Sequence, residues 1–214
     1  ITIMPFDEPG TTITDYLMGA QALFYACLLY MIGRRHTSVL LWSVAMLDVA
    51  AIAIIGGTHH GFNQGNQIST LLEPITIFLF TYLSLFMCCG AALSSIRKPA
   101  RRLFLGVFVL KFLGFLLFLG MSKELEFVHI AWDYVPALIV VLLFKLYSKY
   151  ARNDKDLSAN WIIAGVVISL IALIVLVKKF GDEEGWINNN SVFHVIQMIA
   201  LYCYYNGARH MKDL

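Results

Sequence analysis

Six ionisable side chains sit where a run of apolar residues begins or ends, and their types and spacing could do chemistry: His59, His60, Glu73, His129, Asp133 and His194. His129 and Asp133 are four residues apart, so a helix would place both on one face. A carboxylate so placed can orient an imidazole that binds a metal or carries a proton. His194 and Gln197, three apart, would share a face in the same way. Zinc takes His nitrogen and carboxylate oxygen, and a catalytic zinc keeps three protein ligands and one water. The candidate zinc ligands are therefore His59 or His60, His129 and His194, with Asp133 or Glu73 as general base or as the acceptor that orients a ligand histidine. The plainer reading treats each histidine as an amphipathic interfacial side chain with one wet edge. Four of them at one depth favour a shared site. His36 and His210 lie among arginines and read as surface residues.

Two more charges lie deeper. Asp48 is eleven residues before His59, about 16 Å along a helix at 1.5 Å per residue, and so cannot be its direct partner. Lys111 falls at a similar depth in a different apolar run. A buried Asp48–Lys111 pair would avoid two uncompensated charges in hydrocarbon. A proton or substrate pathway, or no contact between them, are the other readings.

The elements that must position these residues are membrane helices. The chain has 214 residues, 59% hydrophobic and 14% charged, against roughly half apolar and a quarter charged in soluble domains. Apolar stretches of about twenty residues recur along its length, each long enough to cross a roughly 30 Å hydrocarbon core as a helix. The alternating ten-residue segments of a β-barrel are missing. The expected fold is an all-α membrane protein, a single transmembrane domain over 1–214. Its seven-helix bundle spans about 13–33, 38–57, 69–93, 102–121, 127–148, 158–178 and 191–208. The first twelve residues, with Pro5, Asp7, Glu8, Pro9 and Gly10, show no signal-peptide pattern. Cys27, Cys88, Cys89 and Cys203 all lie in apolar segments and predict no disulfide.

Orientation follows from the excess of Lys and Arg in cytoplasmic loops. Of the 16 basic residues, twelve fall on one side: Arg34, Arg35, Arg97, Lys98, Arg101, Arg102, Lys145, Lys149, Arg152, Lys155, Arg209 and Lys212. Only Lys123, Lys178 and Lys179 fall on the other, and Lys111 is mid-span. The N-terminus is expected outside and the C-terminus in the cytoplasm, which places the histidine layer near the outer leaflet. No internal repeat suggests an inverted-repeat transporter. A retinal protein would need a lysine in the middle of the last helix, and Ser191 to Ala208 has none.

Seven helices with the N-terminus outside, a His ending the second, an acid opening the third and a His on the seventh resemble the transmembrane hydrolases that include alkaline ceramidases and adiponectin-type receptors. The residues that carry the likeness are His59 or His60, Glu73 where the family has an aspartate, and His194 in the stretch Phe193-His194-Val195-Ile196-Gln197. That family holds zinc with one His from helix two and two from helix seven, and the ion's water cleaves a lipid amide. Here Met198 stands four residues after His194, where the family has its second histidine. Ile55 and Gly56 occupy the neighbourhood of the family's serine.

Two function classes follow. The first is a metal-dependent hydrolase of a lipid amide or ester, with zinc as cofactor. The second is a non-catalytic membrane subunit of a larger complex, or a protein that binds a lipid, quinone or haem, since two facing histidines can ligate haem axially. Membrane lipids are the expected partners, with a larger membrane complex in the second reading, and no nucleic acid.

Overall fold

A computed structural model describes residues 8–62, 65–122, 125–126, 128–151, 156–178 and 186–214. Four of the basic residues counted for orientation, Lys123, Arg152, Lys155 and Lys179, lie outside them. The described residues form seven α-helices: α1 (Pro9–Ile32), α2 (Thr37–Gly61), α3 (Gly65–Ser95), α4 (Ala100–Met121), α5 (Val128–Leu146), α6 (Leu157–Val177) and α7 (Asn189–Ala208). Helices α1 to α6 are long and apolar enough to cross a membrane. The chain is a multi-pass helical bundle.

Small residues set how closely the first two helices approach. Ala22, Ala26, Ala45, Ala50 and Ala53 are all buried, and a methyl on Gly19 would stand 3.2 Å from Ile54 and 3.5 Å from Ala53. Without a hydrophobic force between helices in lipid, such close backbone packing is a main source of association. The Ser43 hydroxyl adds a bond to the Ala26 carbonyl at 2.8 Å. A 3-10 turn at Gly33–Arg35 and an extended His36 reverse the chain between the two helices. The orphan amides at the start of α2 are capped from the far end of the chain. Asp213 accepts from Thr37 N–H at 2.7 Å and from Ser38 N–H at 2.9 Å. On the other side of the bundle, Gly165 gives room to the Tyr204 ring and Gly207 to Ile162, which brings α6 against α7.

The helices pack in the order α1, α2, α3, α5, α6, α7 and back to α1, a closed ring of six. Helix α4 lies outside that ring, against α3. Leu103, Leu110 and Leu117, spaced by seven, point away from the bundle at 66–70% exposure. That stripe faces the surroundings, not the core. Two aromatic contacts, Phe104 and Phe108 against Phe144 at 5.1 and 5.9 Å between ring centres, join α4 to α5.

Candidate functional site

The ring of six helices encloses a cavity of about 720 Å³, within the range usual for small-ligand sites. Its walls are mostly apolar, with Met18, Val49, Ile52, Ile77 and Leu173 among them. One end is polar, and Asp15, His59, His60 and His194 meet there.

Asp15 is the centre of that end. It lies in the second turn of α1 with 3% of its surface exposed, and its carboxylate packs over Gly56, where a methyl group would stand 3.1 Å from Oδ2. Its Oδ1 faces His194 Nε2 at 3.3 Å. The second ring nitrogen of His194, Nδ1, is 3.1 Å from the Thr14 hydroxyl. His194 is thus held on both nitrogens by α1, which fixes the orientation of its ring. Asp15 Oδ2 and His59 Nδ1 are buried without a hydrogen-bond partner among the described residues. Unsatisfied buried polar atoms are costly, and these two belong to residues lining the same cavity.

A polar collar fixes the helix ends around the site. His60 Nδ1 meets Glu8 Oε1 at 3.1 Å, and the Glu8 amide donates to the His60 carbonyl at 3.1 Å. Burial pushes the Glu8 pKa up, but the His60 ring and hydrogen bonds from His60, Thr11 and Asn190 outweigh it and hold the carboxyl below its ordinary value. Thr11 then bridges Glu8, at 2.9 Å, to Asn188, which donates to it at 2.9 Å. Asn188 caps α7 reciprocally with Ser191, at 2.8 and 3.0 Å. The start of α1, the end of α2 and the start of α7 are sewn into one unit, and that unit carries Asp15, His60 and His194.

The model of a family of unknown function, DUF6962, matches residues 10–213. The chain belongs to that family. The matched region takes in all four residues at the polar end of the cavity. No curated protein and no solved structure matches the chain.

The predicted site residues divide. His59, His60, Glu73 and His194 line the cavity, with Glu73 exposed at its rim. His129 and Asp133 do not line it. They share a face of α5 as their spacing requires, but that face turns outward to α4, while Ile130, Ala131 and Tyr134 on another face look into the cavity. The His129 ring packs on Phe118 and Trp132 at 5.5 and 5.3 Å, and its Nδ1 accepts from the Glu126 amide at 2.9 Å. Asp133 Oδ1 instead meets Lys111 Nζ at 2.5 Å. This corrects the expected Asp48–Lys111 pair: α4 lies beside α5, so Lys111 finds the carboxylate of α5 and not that of α2. Asp48 keeps a buried Oδ2 without a hydrogen-bond partner among the described residues.

Asp15 was missed. It sits in the third residue of the expected first span, at the same depth as the histidines, so the depth rule that gathered them would have found it. Among the described residues no three His, Cys, Asp or Glu side chains converge as a ready-made metal cluster. The donor types at the polar end are nonetheless those zinc takes: imidazole nitrogen from His59 and His194 and carboxylate oxygen from Asp15.

Proposed function

We propose that the chain is a membrane hydrolase of a lipid amide or ester, holding the apolar chain of its substrate in the cavity and the scissile group at Asp15, His59, His60 and His194. The observation that carries this reading is the Asp15–His194 contact at the end of an apolar cavity. A cavity of this kind suits an amphiphile, and a buried carboxylate on an imidazole suits proton transfer. His194, oriented at Nε2 by Asp15, takes a proton at Nδ1 from the attacking water once that water replaces the Thr14 hydroxyl, and returns it to the leaving amine or alcohol. Asp15 stabilises the imidazolium formed between those steps. His60, fixed by Glu8, closes the outer wall of the site.

Zinc belongs to this reading. His59 and Asp15 would hold it through the two unpartnered atoms, His59 Nδ1 and Asp15 Oδ2, which leaves His194 to carry the proton. Such an ion supplies Lewis acidity toward a carbonyl and brings the pKa of a water to about 7. The same reading takes α7 as a seventh span and puts the polar end near the outer leaflet. Its 20 residues rise about 30 Å, and the distribution of basic residues supports an outside N-terminus.

The test is turnover of long-chain amides and esters by the purified protein, alongside its zinc content, for wild type, Asp15→Asn and His194→Ala. Both variants are expected to lose about a hundredfold or more in rate, the share usual for a general acid–base group. Equal turnover in all three would overturn the assignment of Asp15 and His194, and no turnover by the wild type would overturn the hydrolase. A lipid-binding subunit without catalysis is the second reading, favoured by the hydrogen bonds that already engage both nitrogens of His194. Bound lipid with no turnover of any amide or ester would select it.

A further inference from the structure

We infer that the cavity selects an amphiphile with a positively charged headgroup, a fatty ester or amide that carries an ammonium or amine near its scissile bond. This rests on the cavity being the substrate site proposed above, and it names the class of substrate.

Three carboxylates line the cavity, Asp15 inside and Glu73 and Glu126 at the rim, and among the described residues no Lys or Arg lines it. Among the described lining residues the basic side chains are histidines, and His60 is already committed to Glu8. A second feature points to the same ligand independently of the acids. Phe80, Tyr134 and Phe193 line the walls, with Phe80 and Tyr134 edge to face at 5.6 Å between ring centres. Aromatic faces beside a carboxylate are how proteins recognise quaternary and alkylated ammonium groups, because the ring quadrupole attracts a cation and the apolar wall accepts its methyl groups.

Burial sharpens the preference. Asp15 is 3% exposed and presents an oxygen without a hydrogen-bond partner among the described residues. An anionic headgroup, a phosphate or a free carboxylate, would lie among Asp15, Glu73 and Glu126 with no Lys or Arg among the described lining residues to receive it. An ammonium would satisfy the atom instead. Like-charge rejection and opposite-charge acceptance act together, as specificity usually requires. The volume of about 720 Å³ fits one acyl chain with a compact headgroup.

The test is binding of decyltrimethylammonium and of decanoate, each below its micellar concentration, to the full chain in nanodiscs of zwitterionic lipid. Calorimetry reads the heats, with empty nanodiscs as reference. The cation is expected to bind about tenfold tighter or more, which is about 1.4 kcal/mol. Asp15→Asn should remove most of that ratio. Should that variant fail to fold, the exposed pair Glu73→Gln with Glu126→Gln should still lower it severalfold. Decanoate binding as tightly as the cation, neither probe binding, or a ratio unmoved in every folded variant would overturn the inference. Binding reads independently of turnover. Selective cation binding without hydrolysis would end the hydrolase and leave this site standing, whereas turnover of neutral substrates without cation preference would do the reverse.

Discussion

Lys145 shows how a single side chain can be misjudged by its place in the sequence. It sits in the last turn of α5 and counts among the basic residues used to orient the chain, yet it is fully buried. Its ammonium donates to Ser94 at 2.9 Å and to Ser158 at 2.8 Å, and it stands 3.6 Å from Asp156 Oδ2. Asp156 in turn caps α6 by accepting from the Ser158 amide at 2.9 Å and takes the Ser148 hydroxyl at 2.7 Å. Burial raises the Asp156 pKa, but Lys145 and the bonds from Ser158 and Ser148 prevail and hold it below the ordinary value. A depressed folded-state pKa contributes stability that is present above the unfolded value, near 4, and lost as pH falls through the folded one. Asparagine can still cap the helix, so Asp156→Asn isolates the charge. It should cost about 1–3 kcal/mol by removing a charged hydrogen-bond partner and flatten the acid limb of stability. Thermal unfolding in detergent between pH 3 and pH 7, ranges set by that carboxylate, reads both effects.

At the scale of elements, the order of the helices along the chain was legible and their order in space was not. Long apolar runs broken by short polar loops placed every helix within a few residues, because crossing hydrocarbon demands length and internal hydrogen bonding whatever the neighbours. The exclusion of α4 from the ring is a property of packing between helices and left no local sign, and with it went the partner of Lys111. The pair it forms makes a definite prediction. Asp133 is 1% exposed and Lys111 38%, so losing the lysine strands the more buried charge. Lys111→Met should therefore destabilise more than Asp133→Asn, and the double variant should cost less than the sum of the two. A coupling of about 1–3 kcal/mol in the double-mutant cycle is expected. Additive effects would mean that α4 is held by its aromatic contacts alone.

For the whole molecule, the helix least apolar in composition supplies His194 to the site. Helix α7 carries Asn189, Asn190, His194, Gln197 and Asn206, and these lower its apolar character below that of the six helices long and apolar enough to span. Polar residues within spans are tolerated where they face a cavity or one another, and His194, Gln197, Asn189 and Asn190 all line the cavity. The side of the membrane on which that cavity opens then decides which leaflet supplies a substrate. Ile187, just before α7 and 76% exposed, and Ala100, at the start of α4 and exposed, report opposite faces without altering any basic residue. In a background with Cys27, Cys88, Cys89 and Cys203 replaced, Ile187→Cys should react with an impermeant maleimide on intact cells. Ala100→Cys should react only after permeabilisation. The reverse pattern would turn the bundle over, set Asp15 and His194 near the inner leaflet, and make a cytoplasmic-leaflet lipid the substrate of the same chemistry.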